Sequence, residues 1–218
     1  YDEKYLASFI LRRDATTRFG DEKRYGIFPS VALGWVVSKE SFWNVKAVDF
    51  FKFRASYGVN GSDRLPELQF TPLIGLTGQY PFGKPGFQTI YNGQSGLYLP
   101  NPALQWEQSQ QLDIGLEFGL LNSALTVEID YYSKKTAKLL MARTVADYAG
   151  APGGQGNVGE MVNRGLEVEV KYGTDFGPVN FNAALNVTTL RNRATKVSAE
   201  GFLPGYTWPV RNTVITRM

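Results

Sequence analysis

The stretch LDIGLEFGLLNSALTVEIDYY, Leu112 to Tyr132, decides the fold. Going in, Leu112, Ile114, Leu116 and Phe118 alternate with Asp113, Gly115 and Glu117. Coming out, Leu125, Val127, Ile129 and Tyr131 alternate with Thr126, Glu128 and Asp130. A two-residue repeat places successive side chains on opposite faces of a strand. The stretch therefore predicts a hairpin with a tight turn at Asn122-Ser123, apolar on one face and rich in carboxylates on the other. A soluble hairpin would need a core to cover the apolar face. In an outer-membrane barrel that face meets lipid, and the acidic face looks into a wet lumen.

The same alternation recurs along the chain. Tyr5–Arg13, Ile27–Val37, Phe50–Gly58, Gln105–Phe118, Leu125–Tyr132, Gly165–Tyr172 and Val179–Thr188 are seven strand candidates. On this reading Leu112, Ile114, Leu116, Phe118, Val127, Ile129, Val168, Val170, Phe181 and Leu185 face lipid. Lys52, Arg54, Asp113, Glu117, Glu128, Asp130, Glu167, Glu169 and Lys171 face the lumen. Segments Asn60–Ala103 and Leu139–Gly156 are broken by Gly, Pro and Asn and are read as long loops.

Connection lengths then set the architecture. Short and long connections alternate, so the tight turns gather at one end of the strands and the long loops at the other. That asymmetry belongs to bacterial barrels, with short periplasmic turns and long extracellular loops. A tilted crossing strand needs roughly 9 to 11 residues. Trp35, Trp43, Tyr57, Trp106, Phe118, Tyr131 and Tyr172, near strand ends, suit aromatic girdles.

Composition narrows the function. The 218 residues contain no cysteine and no histidine, which removes thiol nucleophiles, the commonest general base and the commonest metal ligand. No cofactor is expected. Net charge is +3 without a basic run, so the clustered footprint of a nucleic-acid binder is missing. No apolar window is long enough for a transmembrane helix, which leaves spanning strands open. The carboxylates could be read as a glycosidase pair, but their every-second-residue spacing fits one wall better. Gly78–Lys84, GQYPFGK, follows a phosphate-loop pattern until Pro85 stands where Ser or Thr is needed. Tyr80, Phe82, Phe87, Tyr91 and Tyr98 stud the longest loop among amides and glycines, and Trp208 belongs with them. Rings beside hydrogen-bonding groups suit sugar or peptide ligands, or a partner surface, although long loops also pack upon themselves.

Several motifs carry a family resemblance. Leu11-Arg12-Arg13-Asp14, Phe28-Pro29-Ser30, Leu33-Gly34-Trp35 and Phe53-Arg54-Ala55-Ser56-Tyr57-Gly58 come first. Asn101-Pro102, Asp113-Ile114-Gly115-Leu116, Asp130-Tyr131-Tyr132 and Asn157-Val158-Gly159-Glu160 follow in order. Together they resemble the barrel of SusC/RagA-type TonB-dependent outer-membrane transporters of Bacteroidetes. The resemblance implies an all-β, antiparallel transmembrane barrel segment, residues 1–218 being part of one barrel of about 22 strands closed around a plug. It also implies nutrient import, of oligosaccharides or peptides, without chemistry on the substrate. The implied partners are membrane lipid, a SusD/RagB-like surface lipoprotein lid, and the TonB complex acting through parts outside this sequence. A passive porin or surface-binding barrel is the alternative, and a soluble β-sandwich carbohydrate-binding module a more distant one.

Overall fold

The computed structural model describes residues 1–143, 145, 150, 153–197 and 214–216. Within them lie strands β1 (Tyr5–Ala15), β2 (Tyr25–Val36), β3 (Val48–Ser62), β4 (Ile74–Lys84) and β5 (Phe87–Gly96). Then come β6 (Glu107–Leu120), β7 (Leu125–Arg143), β8 (Gly154–Phe176), β9 (Val179–Lys196) and the short β10 (Val214–Thr216). The order β1-β2-β3-β6-β7-β8-β9-β10 makes one eight-stranded sheet, antiparallel throughout, with β1 and β10 at its edges. β4 and β5 form a separate two-stranded sheet. All seven expected strands are present; β6 keeps its expected length, shifted by two residues, and the other six are longer than the sequence suggested.

Two expectations need correction. Asn60–Ala103 is not an irregular loop, because it contains the β4–β5 hairpin. Its glycines, read as breakers, instead make the turn: Gly83 has φ 137° and Gly86 φ 85°, conformations that glycine adopts without steric cost. Gly78–Lys84 lies wholly inside β4, so its phosphate-loop pattern is extended strand. Both ends of Leu139–Gly156 are likewise ladder among the described residues, since pairing runs from Leu139↔Gly159 to Arg143↔Gly154. This is why β7 and β8 reach 19 and 23 residues, while β9, paired along Glu160–Phe176, reaches 18. Their apolar faces end well before the strands do, and backbone pairing continues beyond without needing an apolar side chain.

Following the register across the sheet, Trp35, Phe53, Leu116, Ile129, Val168 and Val187 occupy successive paired positions on one face. Leu33, Ala55, Ile114, Tyr131 and Leu166 form the row beside it. Most of these side chains are solvent-exposed in the isolated chain. At the short-turn end the apolar face closes in rings. Trp35 and Phe42 meet edge-on at 6.4 Å, Trp43 stacks on Phe51 at 5.4 Å, and Phe51 on Phe118 at 4.8 Å. Tyr172 and Phe181 are 6.4 Å apart. This border steps from Trp35 on β2 through the paired Phe51 and Phe118 to Tyr172 and Phe181, ever further toward the short-turn end. The opposite border, from Tyr57 through Tyr131 and Leu166 to Val187, steps the same way. A band crossing tilted strands has this offset.

Glu40, in the β2–β3 connection, ties the ring border together. It accepts from the Tyr5 hydroxyl at 2.5 Å and the Trp35 indole N–H at 3.1 Å. These two donors, Tyr5 foremost, hold its carboxyl below the ordinary carboxylate range. At the tight turn Leu121, Asn122 and Ser123 all have positive φ, and the Ser123 N–H donates to the Asp49 carboxylate at 3.0 Å.

The buried core lies at the long-connection end, where Phe19, Phe28, Leu65, Leu104 and Trp106 pack together. Trp106 was expected in a girdle. It is instead 8% exposed, edge-on to Phe19 and Phe28, with its indole N–H donating to the Arg24 carbonyl at 3.3 Å. An indole can supply core area and satisfy its single donor at the same place.

Candidate functional site: the charged face and the aromatic hairpin

The face opposite the apolar one carries the charges. In one row, Lys52, Glu117, Glu128, Glu169 and Asn186 are successive partners across β3, β6, β7, β8 and β9. The next row is Arg54, Gly115, Asp130, Glu167 and Thr188. Arg54 is the hub, reaching Asp130 at 2.6 Å, Glu117 at 3.0 Å and Glu128 at 3.4 Å. Lys52 lies 3.2 Å from Glu117, and Lys171 2.6 Å from Glu169. Asp113 accepts from the Ser56 hydroxyl at 3.3 Å and the Gln111 amide at 2.9 Å.

Arg54 can reach across to β7 because the strand between them is notched. A Cβ on Gly115 would lie 2.3 Å from both Arg54 Nε and Asp130 Oδ1. Gly115→Val is therefore expected to drive the guanidinium off Asp130. The loss should be about 1 to 2 kcal/mol, the low range for a charged hydrogen bond on a wet surface, read as a lower melting temperature of the detergent-solubilised receptor. Gly115→Ala should shift it in the same direction by less.

Beyond Arg54 the face turns acidic. Glu128 stands directly opposite Glu169, and Asp130 opposite Glu167, arrangements that cost stability unless compensated. Arg54 and Lys171 supply that compensation at three of the four acids. Glu128, Asp130, Glu167, Glu169, Asn186 and Thr188 line an open polar depression of about 300 Å³. Among the described residues no group of acids is placed to hold a metal ion. The sequence pattern assembled these acids on one face but missed Gly115, which is silent in any hydropathy pattern. A residue without a side chain between Asp113 and Glu117 was the available signal.

The loop aromatics divide. Tyr80, Phe82, Phe87 and Tyr91 come together on the β4–β5 hairpin, where Tyr80 is paired with Tyr91, Phe82 with Thr89 and Lys84 with Phe87. Tyr80 and Tyr91 stack at 6.2 Å, and Phe82 meets Tyr91 edge-on at 6.2 Å. All four rings are exposed, Phe87 to 86%. Tyr98 does not join them: it is half-buried, and its hydroxyl donates to the Leu68 carbonyl at 2.7 Å. Trp208 lies outside the described residues.

The family model of the TonB dependent receptor-like β-barrel matches residues 1–213. The chain belongs to the TonB-dependent receptor β-barrel family. It is similar to a TonB-dependent receptor of Formosa agariphila, 32% identical over 206 residues, covering 90% of this chain and 19% of the relative. The TonB-dependent receptor SusC of Bacteroides thetaiotaomicron is also 32% identical over 206 residues, covering 89% of this chain and 20% of the relative. The chain thus spans about a fifth of the length of these receptors. Among solved structures, the RagAB peptide transporter matches with a TM-score of 0.78 at 24% identity, over 94% of this chain and 22% of that one. The RagAB peptide importer in its closed-closed state matches at 0.80 and 23%, over 98% and 24%. These likenesses establish the fold. The family and the relatives it matches are TonB-dependent receptors, not glycosidases.

Proposed function

We propose that this chain is part of the barrel wall of a TonB-dependent importer in a bacterial outer membrane, and that the nutrient passes without being chemically altered. The observation that supports this most is the family match along residues 1–213. In this reading the apolar face, from Leu112, Ile114, Leu116 and Phe118 through Val127, Ile129, Val168, Val170, Phe181 and Leu185, meets lipid. The charged face from Lys52 and Arg54 to Lys171 meets water in the lumen. An open sheet edge cannot stand in hydrocarbon, so the rest of a barrel of about 22 strands closes it around a plug. Long connections then lie outside the cell and short turns in the periplasm.

The cargo in this reading is a nutrient such as an oligosaccharide or a peptide, the latter supported by the likeness to the RagAB peptide importer, with a SusD/RagB-like lipoprotein over the long loops and the TonB complex below. Deleting the TonB-contacting segment of the whole receptor should abolish uptake of its nutrient by intact cells while leaving the barrel assembled. Import at the undiminished rate would instead indicate a passive porin.

The four exposed rings of the β4–β5 hairpin are the segment's best candidates for touching nutrient or lid. Tyr80→Ser together with Tyr91→Ser is expected to weaken binding of whichever it touches by roughly 10-fold to 100-fold, the range for two exposed aromatic contacts, as measured by co-purification of the lid and by nutrient titration. Barrel assembly should not change.

A further inference from the structure

The apolar face of β7, β8 and β9 ends in a basic cluster. Row by row toward the long connections, Ile129, Val168 and Val187 are followed by Tyr131, Leu166 and Thr189. Next come Ser133, Arg164 and Arg191, and then Lys135, Val162 and Arg193. By strand alternation all of these stand on the apolar face, not on the charged one. Arg164 and Arg191 are direct cross-strand partners and both are exposed. With Val162, Arg193 and Thr195 they line a shallow depression of about 200 Å³. Glu160, the nearby carboxylate on this face, is engaged by Lys135 at 3.1 Å.

Two guanidiniums directly opposite one another on adjacent strands repel, and an anion between them removes that penalty. Guanidinium pairs match phosphate geometry with parallel N–H donors. The cluster begins one row beyond Tyr131 and Leu166, where hydrocarbon gives way to headgroups if the apolar face meets lipid. A soluble anion would gain nothing from that position, whereas a lipid held by its chains along Val168, Val170, Leu185 and Val187 would present its headgroup there.

We propose that Arg164 and Arg191 form a binding site for the phosphate-bearing headgroup of a lipid in the outer leaflet. The inference rests on the orientation given under the proposed function. The test uses the full-length receptor carrying this segment, purified in detergent and titrated with bisphosphorylated lipid A, its dephosphorylated form and inorganic phosphate, with bound lipid counted by native mass spectrometry. Lipid A should bind the unmodified receptor, and Arg164→Gln with Arg191→Gln should weaken it roughly thirtyfold, as expected for two basic groups at a membrane surface. Arg164→Lys with Arg191→Lys should recover part of the loss. Equal binding of phosphorylated and dephosphorylated lipid to the unmodified receptor would overturn the site without needing any variant to fold. Tight occupancy by inorganic phosphate alone would overturn the lipid assignment. A receptor that inserts into vesicles yet shows no phosphate preference refutes this inference only. One that fails to insert refutes the orientation beneath it.

Discussion

Ile114→Lys should cost assembly of the receptor in its membrane about 2 to 4 kcal/mol, whereas Asp113→Lys, one residue away, should cost about 1 kcal/mol or less. Ile114 sits between Ala55 and Tyr131 in the middle of the apolar face, with Leu112 and Leu116 to either side along β6. A lysine there has no charged neighbour on that face within the central rows and would have to stretch through the proposed hydrocarbon layer to reach water. Asp113 lies on the opposite face, where Ser56 and Gln111 already donate to it and Arg54 stands in the next row. A lysine at 113 gives up two hydrogen bonds and gains some repulsion, all in a solvated setting that screens charge. The amount of heat-modifiable, folded receptor recovered from outer membranes distinguishes the two. Equal recovery would mean that the faces are assigned wrongly.

The second large effect is expected away from the membrane. Leu104 is fully buried against Phe19, Phe28, Leu65 and Trp106, so Leu104→Ala should cost about 2 to 5 kcal/mol of local stability through lost burial and the cavity left behind. The residues in that cluster come from the β1–β2 connection, the start of β2 and both ends of the segment that carries the β4–β5 hairpin. The penalty should therefore appear as faster hydrogen exchange and proteolysis in residues 63–106, with little change in exchange along the β6–β8 ladder, because local units open independently of the rest. Leu121→Ala, at a side chain 64% exposed in the tight turn, should change neither.

What could be read from the sequence, and what could not, follows from the range of the interactions. Alternation in β6 and β7 is local, so the two faces of Leu112–Tyr132 were visible residue by residue. The β4–β5 hairpin was missed because Gly78, Gly83, Pro85 and Gly86 look like disorder in composition, while in space the glycines supply the positive φ values that a turn and a register shift require. Trp106 was misplaced because a girdle and a core ask for the same residue. Only the approach of Phe19 from the β1–β2 connection and of Phe28 from β2 decides between them. The charged face was legible as a list but not as a network. That Arg54 meets Asp130 depends on the register of three strands and on the gap at Gly115, neither of which is encoded near Arg54 in the chain. The arginine cluster at the end of β8 and β9 was hidden for the same reason: Arg164 and Arg191 become neighbours only through the pairing.

One face of this sheet is expected to meet lipid and the other water. Single cysteines placed in turn from Leu112 to Phe118, in a chain that has none of its own, and labelled with a nitroxide in the membrane-embedded receptor, test it most directly. Collision with oxygen should be high at 112, 114, 116 and 118. Collision with a water-soluble nickel chelate should be high at 113, 115 and 117. A flat profile, or the two reagents exchanging positions, would contradict the account.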